Sequence, residues 1–317
     1  FLPFMNILIT GAAGFIGSHM AELLNSKGYN VTGLDNFSTY YDVDLKHRNA
    51  RALELKGIEV LRKDLCNIED YNSLPTNFHF IIHFAAQPGI SSQIEFEDYL
   101  QNNFIATQNL LQFALENKSL KHFFNISTSS IYGIDATFPE TTAPAPASHY
   151  GVTKLAAEQL VLAESRSGRL SASSLRLYSV YGPRERPEKL YTKLISCAFN
   201  NEAFSLFEGS EHHLRSFTYV GDIVKGILAA VEKHKELNGE IINLGTEENH
   251  TTREGIAIVE ELLGVKIALK VVPKRAGDQL RTAAKIEKAK ELLGYKASTT
   301  LKQGLEQQIE WYRKEFL

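Results

Sequence analysis

The stretch NILITGAAGFIG, residues 6–17, joins a short apolar run to three glycines spaced three residues apart. The run at 6–10 is typical of a buried strand, and the pattern over 15–27 predicts a helix. A glycine-rich turn between a strand and a helix is the setting in which dinucleotide-binding sheets hold a pyrophosphate. This stretch therefore predicts the first strand, turn and helix of a parallel sheet that binds a dinucleotide.

Each glycine of the turn can be given a physical role. Gly11 permits the tight bend, Gly14 lets the backbone approach a pyrophosphate, and Gly17 lets the helix lie close to the sheet. Phe15 and Ile16 begin the helix, where unpaired N–H groups and the positive end of the dipole favour a diphosphate. Glycines in such a turn can also be purely structural, so the assignment depends on the residues that follow.

Strand-like and helical segments alternate through the first half of the chain. Apolar runs of strand length occur at 6–10, 30–34, 59–62, 79–84 and 122–126, with helical patterns at 15–27, 44–56 and 96–116 between them. This order predicts right-handed βαβ units and a parallel sheet in an α/β fold.

The chain is predicted to form two lobes around one cleft. We assign residues 5–176 to a dinucleotide-binding domain, with returning segments at about 216–246, because a helical pattern at 222–234 is followed by another apolar run. Residues 177–317 are assigned mainly to a smaller, substrate-binding lobe. In an open parallel sheet the cleft lies at the carboxyl ends of the strands.

Composition and charge argue against several classes of protein. Of the 317 residues, 44% are apolar, which is ordinary for a chain with a sizeable core, and the net charge is −3 without any block of like charge. Such a chain offers no basic field for nucleic acid or for an acidic membrane surface. No apolar run approaches the roughly 20 residues that span a bilayer. The start, FLPFMNILITG, lacks the charged region and cleavage site of a signal peptide.

The cysteines and the histidine pair give no sign of a metal site. Cys66 and Cys197 are distant in the sequence and belong to no CxxC or metal-ligand spacing. We expect both to be reduced thiols and the protein to be cytoplasmic. The adjacent residues His212 and His213 are not expected to bind a metal, because neighbouring side chains of a strand point to opposite faces.

An acidic residue at the end of the second strand favours NAD over NADP. Asp35 lies 18 residues beyond Gly17, where a carboxylate can accept both hydroxyls of the adenosine ribose. A carboxylate there repels a 2′-phosphate, and residues 36–38 supply no arginine or lysine to bind one. Asp64, at the end of the next strand-like run, is placed to cap the adenine edge, although a helix N-cap is an equally good explanation.

The segment SHYGVTK, residues 148–154, places a tyrosine and a lysine on one face at the start of a predicted helix. Lowering a tyrosine pKa from about 10 to about 7 requires about 4 kcal/mol. An ammonium about 4 Å away, at an effective dielectric near 20, supplies that order of energy, and an oxidised nicotinamide adds to it. Taken alone, the pair fits a surface helix. Beside a dinucleotide, Tyr150 and Lys154 suit the removal of a proton from an alcohol whose carbon gives hydride to NAD.

Further motifs follow in order along almost the whole chain: GAAGFIG, LDNFSTYYD, HFAAQ, NISTSSIYG, YGVTK, LRLYSVYGPRERP, RSFTYVGDIV, NLG and AGDQLRT. Together they resemble the extended short-chain dehydrogenase/reductase superfamily and, within it, the nucleotide-sugar epimerases. The resemblance implies a Rossmann-like, doubly wound parallel sheet with a smaller α/β C-terminal lobe, held NAD and a UDP-sugar substrate. It also implies a homodimer formed by helices near 96–116 and 150–166.

The resemblance implies three catalytic residues. Tyr150 would be the base, Lys154 would hold the nicotinamide ribose and lower the pKa of Tyr150, and Thr128 would hydrogen-bond the reacting sugar hydroxyl. The cofactor-binding residues implied are Gly11, Gly14, Phe15, Ile16, Gly17, Asp35, Asn36, Asp64, Leu65, Ala85 and Lys154.

The substrate-binding residues implied are Gln87, Ser129, Ser179, Arg186, Arg215 and Asp278. Ser179 matches a substrate-contacting position, and Arg215 matches an arginine that pairs with the diphosphate, as a fork of fixed donors should. Arg186 matches an arginine near the sugar carboxylate, with a surface ion pair to Glu185 or Glu188 as the alternative. Gln87, like Asn103, is equally well explained by structural hydrogen bonds.

One segment bears on the type of reaction. Related dehydratases and decarboxylases carry an acidic residue where residues 127–133 here read STSSIYG. This difference favours epimerisation at C4 through a 4-keto sugar, with NAD regenerated in each cycle. A simple dehydrogenase, which would release NADH, is one alternative. A non-catalytic NAD sensor is another, but such proteins typically lose the tyrosine or the lysine, and both are kept here.

The segment around Arg186 and residues 35–42 look most like UDP-glucuronate 4-epimerases, so we expect conversion of UDP-glucuronate to UDP-galacturonate. One departure lies at residues 85–92, which read AAQPGISS where those enzymes often read AAQAGVRYS and carry an arginine. The small residue Thr282, after the turn at 277–278, also leaves room for an N-acetyl group. UDP-glucose, UDP-N-acetylhexosamines and their uronates therefore stay as alternatives.

Overall fold

The computed structural model describes residues 5–91, 93–274 and 279–317. Asp278, one of the implied substrate ligands, lies outside the described residues, as do residues 1–4. The strands are β1 (Asn6–Thr10), β2 (Asn30–Asp35), β3 (Glu59–Arg62), β4 (Phe80–His83), β5 (His122–Thr128), β6 (Asp135–Ala136), β7 (Ala172–Leu177), β8 (Val180–Tyr181), β9 (Phe204–Phe207), β10 (Leu214–Arg215), β11 (Thr218–Tyr219), β12 (Ile241–Leu244), β13 (His250–Thr251), β14 (Leu269–Val272) and β15 (Arg281–Thr282).

The helices connect these strands. They are α1 (Phe15–Ser26), α2 (Val43–Glu54), α3 (Phe96–Tyr99), α4 (Ala106–Glu116), α5 (His149–Arg166), α6 (Leu190–Asn200), α7 (Val220–Glu232), α8 (Thr252–Leu263), α9 (Glu287–Leu293) and α10 (Leu301–Phe316). A π-helical turn, Leu100–Ile105, joins α3 to α4, and short 3-10 helices lie at Ile68–Ser73, Ser129–Tyr132, Ser210–His212 and His234–Glu236.

The main sheet is parallel, as the βαβ order predicts. Over the described residues it has seven strands in the order β3-β2-β1-β4-β5-β7-β12. The chain builds outward from β1 in one direction and then, from β4 onward, in the other. Parallel sheets with such a reversal bind ligands beyond the carboxyl ends of the strands at the point of reversal, which here lies between β1 and β4.

Both faces of the main sheet are covered by helices. Ile7 and Ile9 of β1 pack in one core with apolar residues of α1 and α7, whereas Leu8 packs in a second core with residues of α4 and α5. Successive side chains of a strand point to opposite faces, so a strand buried on both sides is mostly apolar. This is why the strands read as continuous apolar runs in the sequence.

The C-terminal elements build smaller sheets beside the main one. Strands β13, β10, β15 and β6 pair in that order, β8 pairs with β11, and β9 pairs with β14. A third core holds α6, α8 and α10 together, through residues such as Leu194, Val259 and Leu305. Among the described residues, no helix combines the length and the apolar character needed to cross a bilayer.

Two predicted elements differ from those observed. The predicted helix at 96–116 is interrupted by a π-helical turn, so it consists of α3, that turn and α4 in direct succession. Among the described residues, the returning segment predicted at about 216–246 joins the main sheet through β12 and not through β11, which pairs with the two residues of β8 before Val220 begins α7.

Candidate active site

A cleft of about 540 Å³ opens at the carboxyl ends of β1, β4 and β5 and extends between the main sheet and the C-terminal elements. Its size is that of a site for a small-molecule ligand or cofactor. Every implied site residue that the structure describes lines it: Gly11, Gly14, Phe15, Ile16, Gly17, Asp35, Asn36, Asp64, Leu65, Ala85, Gln87, Thr128, Ser129, Tyr150, Lys154, Ser179, Arg186 and Arg215. The fold thus brings together residues from positions 11 to 215 of the chain.

The glycine turn has the backbone geometry that only glycine tolerates. Gly11 has φ +70°, and a Cβ there would lie 2.9 Å from the backbone nitrogen of Ala85. A Cβ on Gly17 would collide with the carbonyl oxygen of Gly11. Helix α1 starts after Gly14 without a side-chain cap and without an acidic residue in its first turn. Its first N–H groups are therefore available to an anion in the cleft.

Asp35 lies at the end of β2 and faces the glycine turn. Its Oδ2 accepts a hydrogen bond of 3.1 Å from the N–H of Ala13, and its Oδ1 accepts one of 2.9 Å from the N–H of Phe37. The Nζ of Lys46, from α2, lies 3.4 Å from Oδ1. Residues 36–38 contain no lysine or arginine, but α2 supplies a cation beside Asp35, namely Lys46.

Asp64 does not cap a helix; Asn67 is the N-cap of the 3-10 helix that follows. Asp64 Oδ1 instead accepts from the N–H of Cys66 at 2.8 Å, which closes a local turn. Its Oδ2 accepts at 3.3 Å from the amide of Asn36, and both residues line the cleft. This pairing holds the two side chains at the end of the site next to Asp35.

The implied catalytic residues meet where β5 ends and α5 begins. Thr128 is the last residue of β5 and lines the cleft with Tyr150, and its hydroxyl donates to that of Ser130 at 3.2 Å. Lys154 is 3% exposed, and its Nζ donates a 2.7 Å hydrogen bond to the carbonyl oxygen of Ile126. Ser148 caps α5 by accepting from the N–H of Gly151, which sets the start of the helix and hence the direction of both side chains.

The pKa values of this group differ in part from the expectation. Burial raises the pKa of Tyr150, while the nearby hydroxyl of Thr128 and the positive charge of Arg186 oppose that rise. Burial lowers the pKa of Lys154 to about 8, and the carboxylate of Glu158 opposes that fall. The expected lowering of the Tyr150 pKa by Lys154 is not seen, because burial outweighs the nearby donors and charges.

Arg186 reaches the cleft from the loop after β8. Its Nη1 lies 2.6 Å from Glu188, and its guanidinium stands 5.4 Å from the ring centre of Tyr40. Its Nη2 would lie 3.2 Å from a Cβ on Gly89, so it borders the loop after β4. The alternative ion pair with Glu188 is therefore present, whereas Glu185 is buried and bonds Thr192 and Gln308 instead. Arg186 can pair with Glu188 and still face the cleft near Tyr150.

The loop that carries Arg186 is anchored to α1 by residues that the sequence reasoning missed. Arg184 has φ +69° and donates a 2.8 Å hydrogen bond to Glu22. The adjoining carbonyl of Pro183 accepts from His19 at 2.9 Å. Burial, helped by the charge of Arg184, lowers the pKa of His19 to about 4, so this histidine is neutral near pH 7. These long-range contacts hold the loop against the dinucleotide side of the cleft.

Gln279 is a second residue that the sequence reasoning missed. It is buried and lines the cleft, and its Nε2 donates to the carbonyl oxygens of Ser129 at 3.2 Å and Gly133 at 3.0 Å. It thereby holds the 3-10 turn that follows Thr128. Its position inside the AGDQLRT motif was the available signal.

Three buried polar atoms of cleft-lining residues have no protein partner among the described residues. They are the Nε2 of Gln87, the hydroxyl of Ser127 and the hydroxyl of Tyr191. Buried polar groups are normally hydrogen-bonded, so unpaired ones in a cleft indicate a place for a ligand. Together with the uncapped start of α1 and the donors left on Lys154, they fit a dinucleotide and a polar substrate lying side by side.

The histidine pair adopts a different structure from the expected strand. His212 ends a 3-10 helix and is largely exposed, while His213 follows it and lines the cleft. No group of three potential ligands suited to a metal ion is found within residues 5–91, 93–274 and 279–317.

Comparisons with known proteins agree with this geometry. The model of the NAD-dependent epimerase/dehydratase family matches residues 7–245. A Bacillus subtilis protein described as an uncharacterized UDP-glucose epimerase, YtcB, is 38% identical over 312 residues, covering 97% of this chain and 98% of that protein. UDP-glucuronate 4-epimerase 2 of Arabidopsis thaliana is 33% identical over 328 residues, covering 97% of this chain and 76% of that one.

A solved structure extends the likeness to three dimensions. UDP-glucuronic acid 4-epimerase from Bacillus cereus, in complex with UDP-glucuronic acid and NAD, superposes with a TM-score of 0.94 at 35% identity, covering 98% of this chain and 100% of that one. The expected fold, the resemblance to UDP-glucuronate 4-epimerases and the choice of NAD are thereby confirmed. The chain belongs to the NAD-dependent epimerase/dehydratase family.

Proposed function

We propose that this protein is a UDP-sugar 4-epimerase that interconverts UDP-glucuronate and UDP-galacturonate. The observation that carries the proposal is the placement of Tyr150 and Thr128 in the same cleft as the guanidinium of Arg186, whose charge acts on Tyr150. The first pair suits chemistry at a sugar hydroxyl, and the cation suits a sugar carboxylate. The Bacillus cereus and Arabidopsis thaliana relatives carry the same activity in their names, which supports this choice of substrate.

The residues have separate roles in the oxidation of the C4 hydroxyl and in the reduction that reverses it. Tyr150 takes the proton from the C4 hydroxyl, and Thr128 orients that hydroxyl through its own. Bound NAD supplies hydride acceptance and donation at C4. Lys154, fixed by Ile126, keeps two N–H donors for the ribose beside the reacting carbon. Rotation of the 4-keto sugar between the two hydride steps inverts C4.

A uronate substrate makes one further demand on the site. Oxidation at C4 leaves the carboxylate β to a ketone, where it is prone to lose CO2. Thr128, Ser129, Ser179 and Arg186 all line the cleft, so three hydroxyls and a guanidinium are available to hold the carboxylate. Holding the carboxylate there keeps the bond to CO2 out of alignment with the carbonyl π system and protects the intermediate.

A second candidate is epimerisation of UDP-glucose or of a UDP-N-acetylhexosamine or its uronate. The UDP-glucose named for the Bacillus subtilis relative favours the first of these. Thr282, which is fully buried in β15, does not line the cleft and gives no support to an N-acetyl pocket there. Dehydratase, decarboxylase and NAD-sensor activities rank below these, because residues 127–133 lack an acid and both Tyr150 and Lys154 are present.

We also propose that the protein is a cytoplasmic homodimer. Helix α5 packs one face on the sheet and leaves a second apolar stripe half exposed, with Val152 at 44%, while Phe96 of α3 is 42% exposed beside it. Helices with apolar residues on two faces are typical of bundles formed with a partner. The unpaired thiols of Cys66 and Cys197 support a reducing compartment.

Incubation with UDP-glucuronate, UDP-glucose, UDP-N-acetylglucosamine and UDP-N-acetylglucosaminuronate, followed by NMR, tests the proposal. We expect UDP-galacturonate from the first. Arg186→Ala should slow this conversion and release some decarboxylated UDP-pentose, whereas Glu188→Gln, which removes only the exposed ion-pair partner, should release none. Activity on UDP-glucose or UDP-N-acetylglucosamine without any on UDP-glucuronate would overturn the substrate assignment and leave the epimerase assignment standing.

A further inference from the structure

Arg184, in the loop between β8 and α6, combines two locally unfavourable features. Its backbone has φ +69°, a left-handed conformation that is costly for a residue other than glycine. Within the described residues, its Nη1 is also buried without a hydrogen-bond partner. Such features concentrate at functional sites, where the surrounding structure holds them in place. Arg184 does not line the cleft, so a functional role of this residue must act through a neighbour.

Arg184 ties its loop to the first helix of the dinucleotide-binding domain. Its Nη2 donates a 2.8 Å hydrogen bond to Oε1 of Glu22. The two side chains are 17% and 19% exposed, so solvent screens this ion pair less than a pair at the open surface. Glu22 lies about two turns into α1. The loop is therefore attached to the helix whose available N–H groups suit the diphosphate of a dinucleotide.

The next residue ties the same loop to the C-terminal elements. Glu185 is 2% exposed, and its Oε2 accepts from the hydroxyl of Thr192 at 3.0 Å and from the side-chain amide of Gln308 at 2.9 Å. These two partners belong to α6 and α10. Two consecutive residues thus anchor the loop on both sides of the cleft, immediately before Arg186.

The contacts of the Arg186 side chain are weaker than these anchors. Arg186 pairs with Glu188, which belongs to the same loop and has a side chain that is 44% exposed. An exposed pair of this kind contributes little to fixing an arginine, and both partners move with the loop. The guanidinium also stands 5.4 Å from the ring centre of Tyr40. The position of Arg186 therefore depends mainly on the backbone that the two preceding residues anchor.

We propose that Arg184 is a positioning residue for substrate choice: its ion pair with Glu22 holds Arg186 where the carboxylate of a uronate binds. The inference rests on the proposed function, in which Arg186 receives that carboxylate. The carboxylate is attached to C5, next to the reacting C4, so a displaced Arg186 would move C4 away from the nicotinamide. A sugar with a hydroxyl at C6 makes no ion pair with Arg186 and should be insensitive to Arg184.

The experiment is calorimetric titration of UDP-glucuronate and of UDP-glucose into NAD-saturated protein that carries Tyr150→Phe, which blocks turnover. Adding Arg184→Met should weaken UDP-glucuronate binding about tenfold, the effect of one charge-assisted hydrogen bond, and UDP-glucose binding by less than about twofold. The matched control is Lys56→Met, because Lys56 pairs with the same Oε1 of Glu22 at 3.1 Å and is not part of the loop. It should change either affinity by less than about twofold.

A double-variant cycle separates a positioning role from a general loosening of the loop. In protein that already carries Arg186→Ala, Arg184→Met should weaken UDP-glucuronate binding no further, because the arginine that it positions is gone. If Arg184→Met does not fold, Glu22→Gln takes its place in both comparisons, since it removes the same ion pair from the side of α1.

Three binding results would contradict the inference: an unchanged affinity for UDP-glucuronate in Arg184→Met, an equal loss for both UDP-sugars, or losses that add when Arg184→Met and Arg186→Ala are combined. Turnover of UDP-glucuronate by the wild-type protein, followed by NMR, tests the proposed function separately. If that turnover is absent while the selective loss of binding is observed, the proposed function fails and the positioning role of Arg184 stands.

Discussion

The ammonium of Lys154 lies 2.7 Å from the carbonyl oxygen of Ile126. One of its three N–H donors is therefore committed to the end of β5, and the other two can serve the cleft. Because Thr128 follows on the same strand and Tyr150 lies one turn before Lys154 on α5, the packing of α5 on β5 sets the position of all three groups. The effect of substituting any of these three residues can be attributed to a catalytic role only if the packing of α5 on β5 is retained.

Tyr150→Phe should lower turnover by about 10³-fold or more, because the path for the C4 hydroxyl proton is lost while the ring shape stays. Affinity for UDP-sugar, measured by calorimetry, should change little. Near-normal epimerisation by this variant in an NMR assay would contradict the role of Tyr150 as the base.

Thr128→Val should lower turnover by about 10²-fold, through loss of one oriented hydrogen bond at the reacting oxygen. The same hydroxyl accepts from the N–H of Ser130 at 3.1 Å, so a lower melting temperature is also expected. Thr128→Ser keeps the hydroxyl and is the matched control, which should retain most activity. Loss of NAD from Thr128→Val would show that the threonine serves the cofactor and not the sugar.

Turnover should fall as the pH rises above about 8. Burial lowers the pKa of Lys154 to about 8, so the ammonium is charged below that pH and loses its proton above it. A neutral amine offers one donor fewer and no positive charge beside Tyr150. Lys154→Arg stays charged over the whole range, so its alkaline decline should move upward, whatever its absolute rate. Turnover should be measured from pH 6 to 10 in both proteins. If the alkaline decline occurs at the same pH in both, Lys154 is not the group that causes it.

Arg176→Met should destabilise the protein by about 3–5 kcal/mol in denaturant titrations, because it leaves the buried carboxylate of Glu158 without its partner. Arg176 is 1% exposed and Glu158 is fully buried, and their side chains approach to 2.6 Å. The double variant Arg176→Met/Glu158→Gln removes both charges and should recover part of the loss. A double variant less stable than Arg176→Met would show that the carboxylate has other stabilising partners, such as Ser174 at 3.0 Å.

The parts of this protein that the sequence predicts are those set by local spacing. Strand-like apolar runs that alternate with helical patterns predict the parallel sheet, because each of these patterns is contained in one short segment of the sequence. The glycines of the turn lie within seven consecutive residues, and Tyr150 and Lys154 lie one helical turn apart. Such motifs predict the dinucleotide site and the base without knowledge of how distant segments pack.

Contacts between distant segments were decided by the tertiary structure alone. Lys46 reaches Asp35 because α2 packs beside β2, Arg184 reaches Glu22 across 162 positions, and Gln279 reaches Ser129 across 150. For Lys46, the local indication was its position in its helix. It shares the buried face of α2 with Asn49, Ala50 and Leu53, and a lysine at a core position requires a buried partner. The identity of the partner of Lys46 depends on how distant segments pack. Packing is cooperative over the whole fold, so no local sequence pattern predicts that partner.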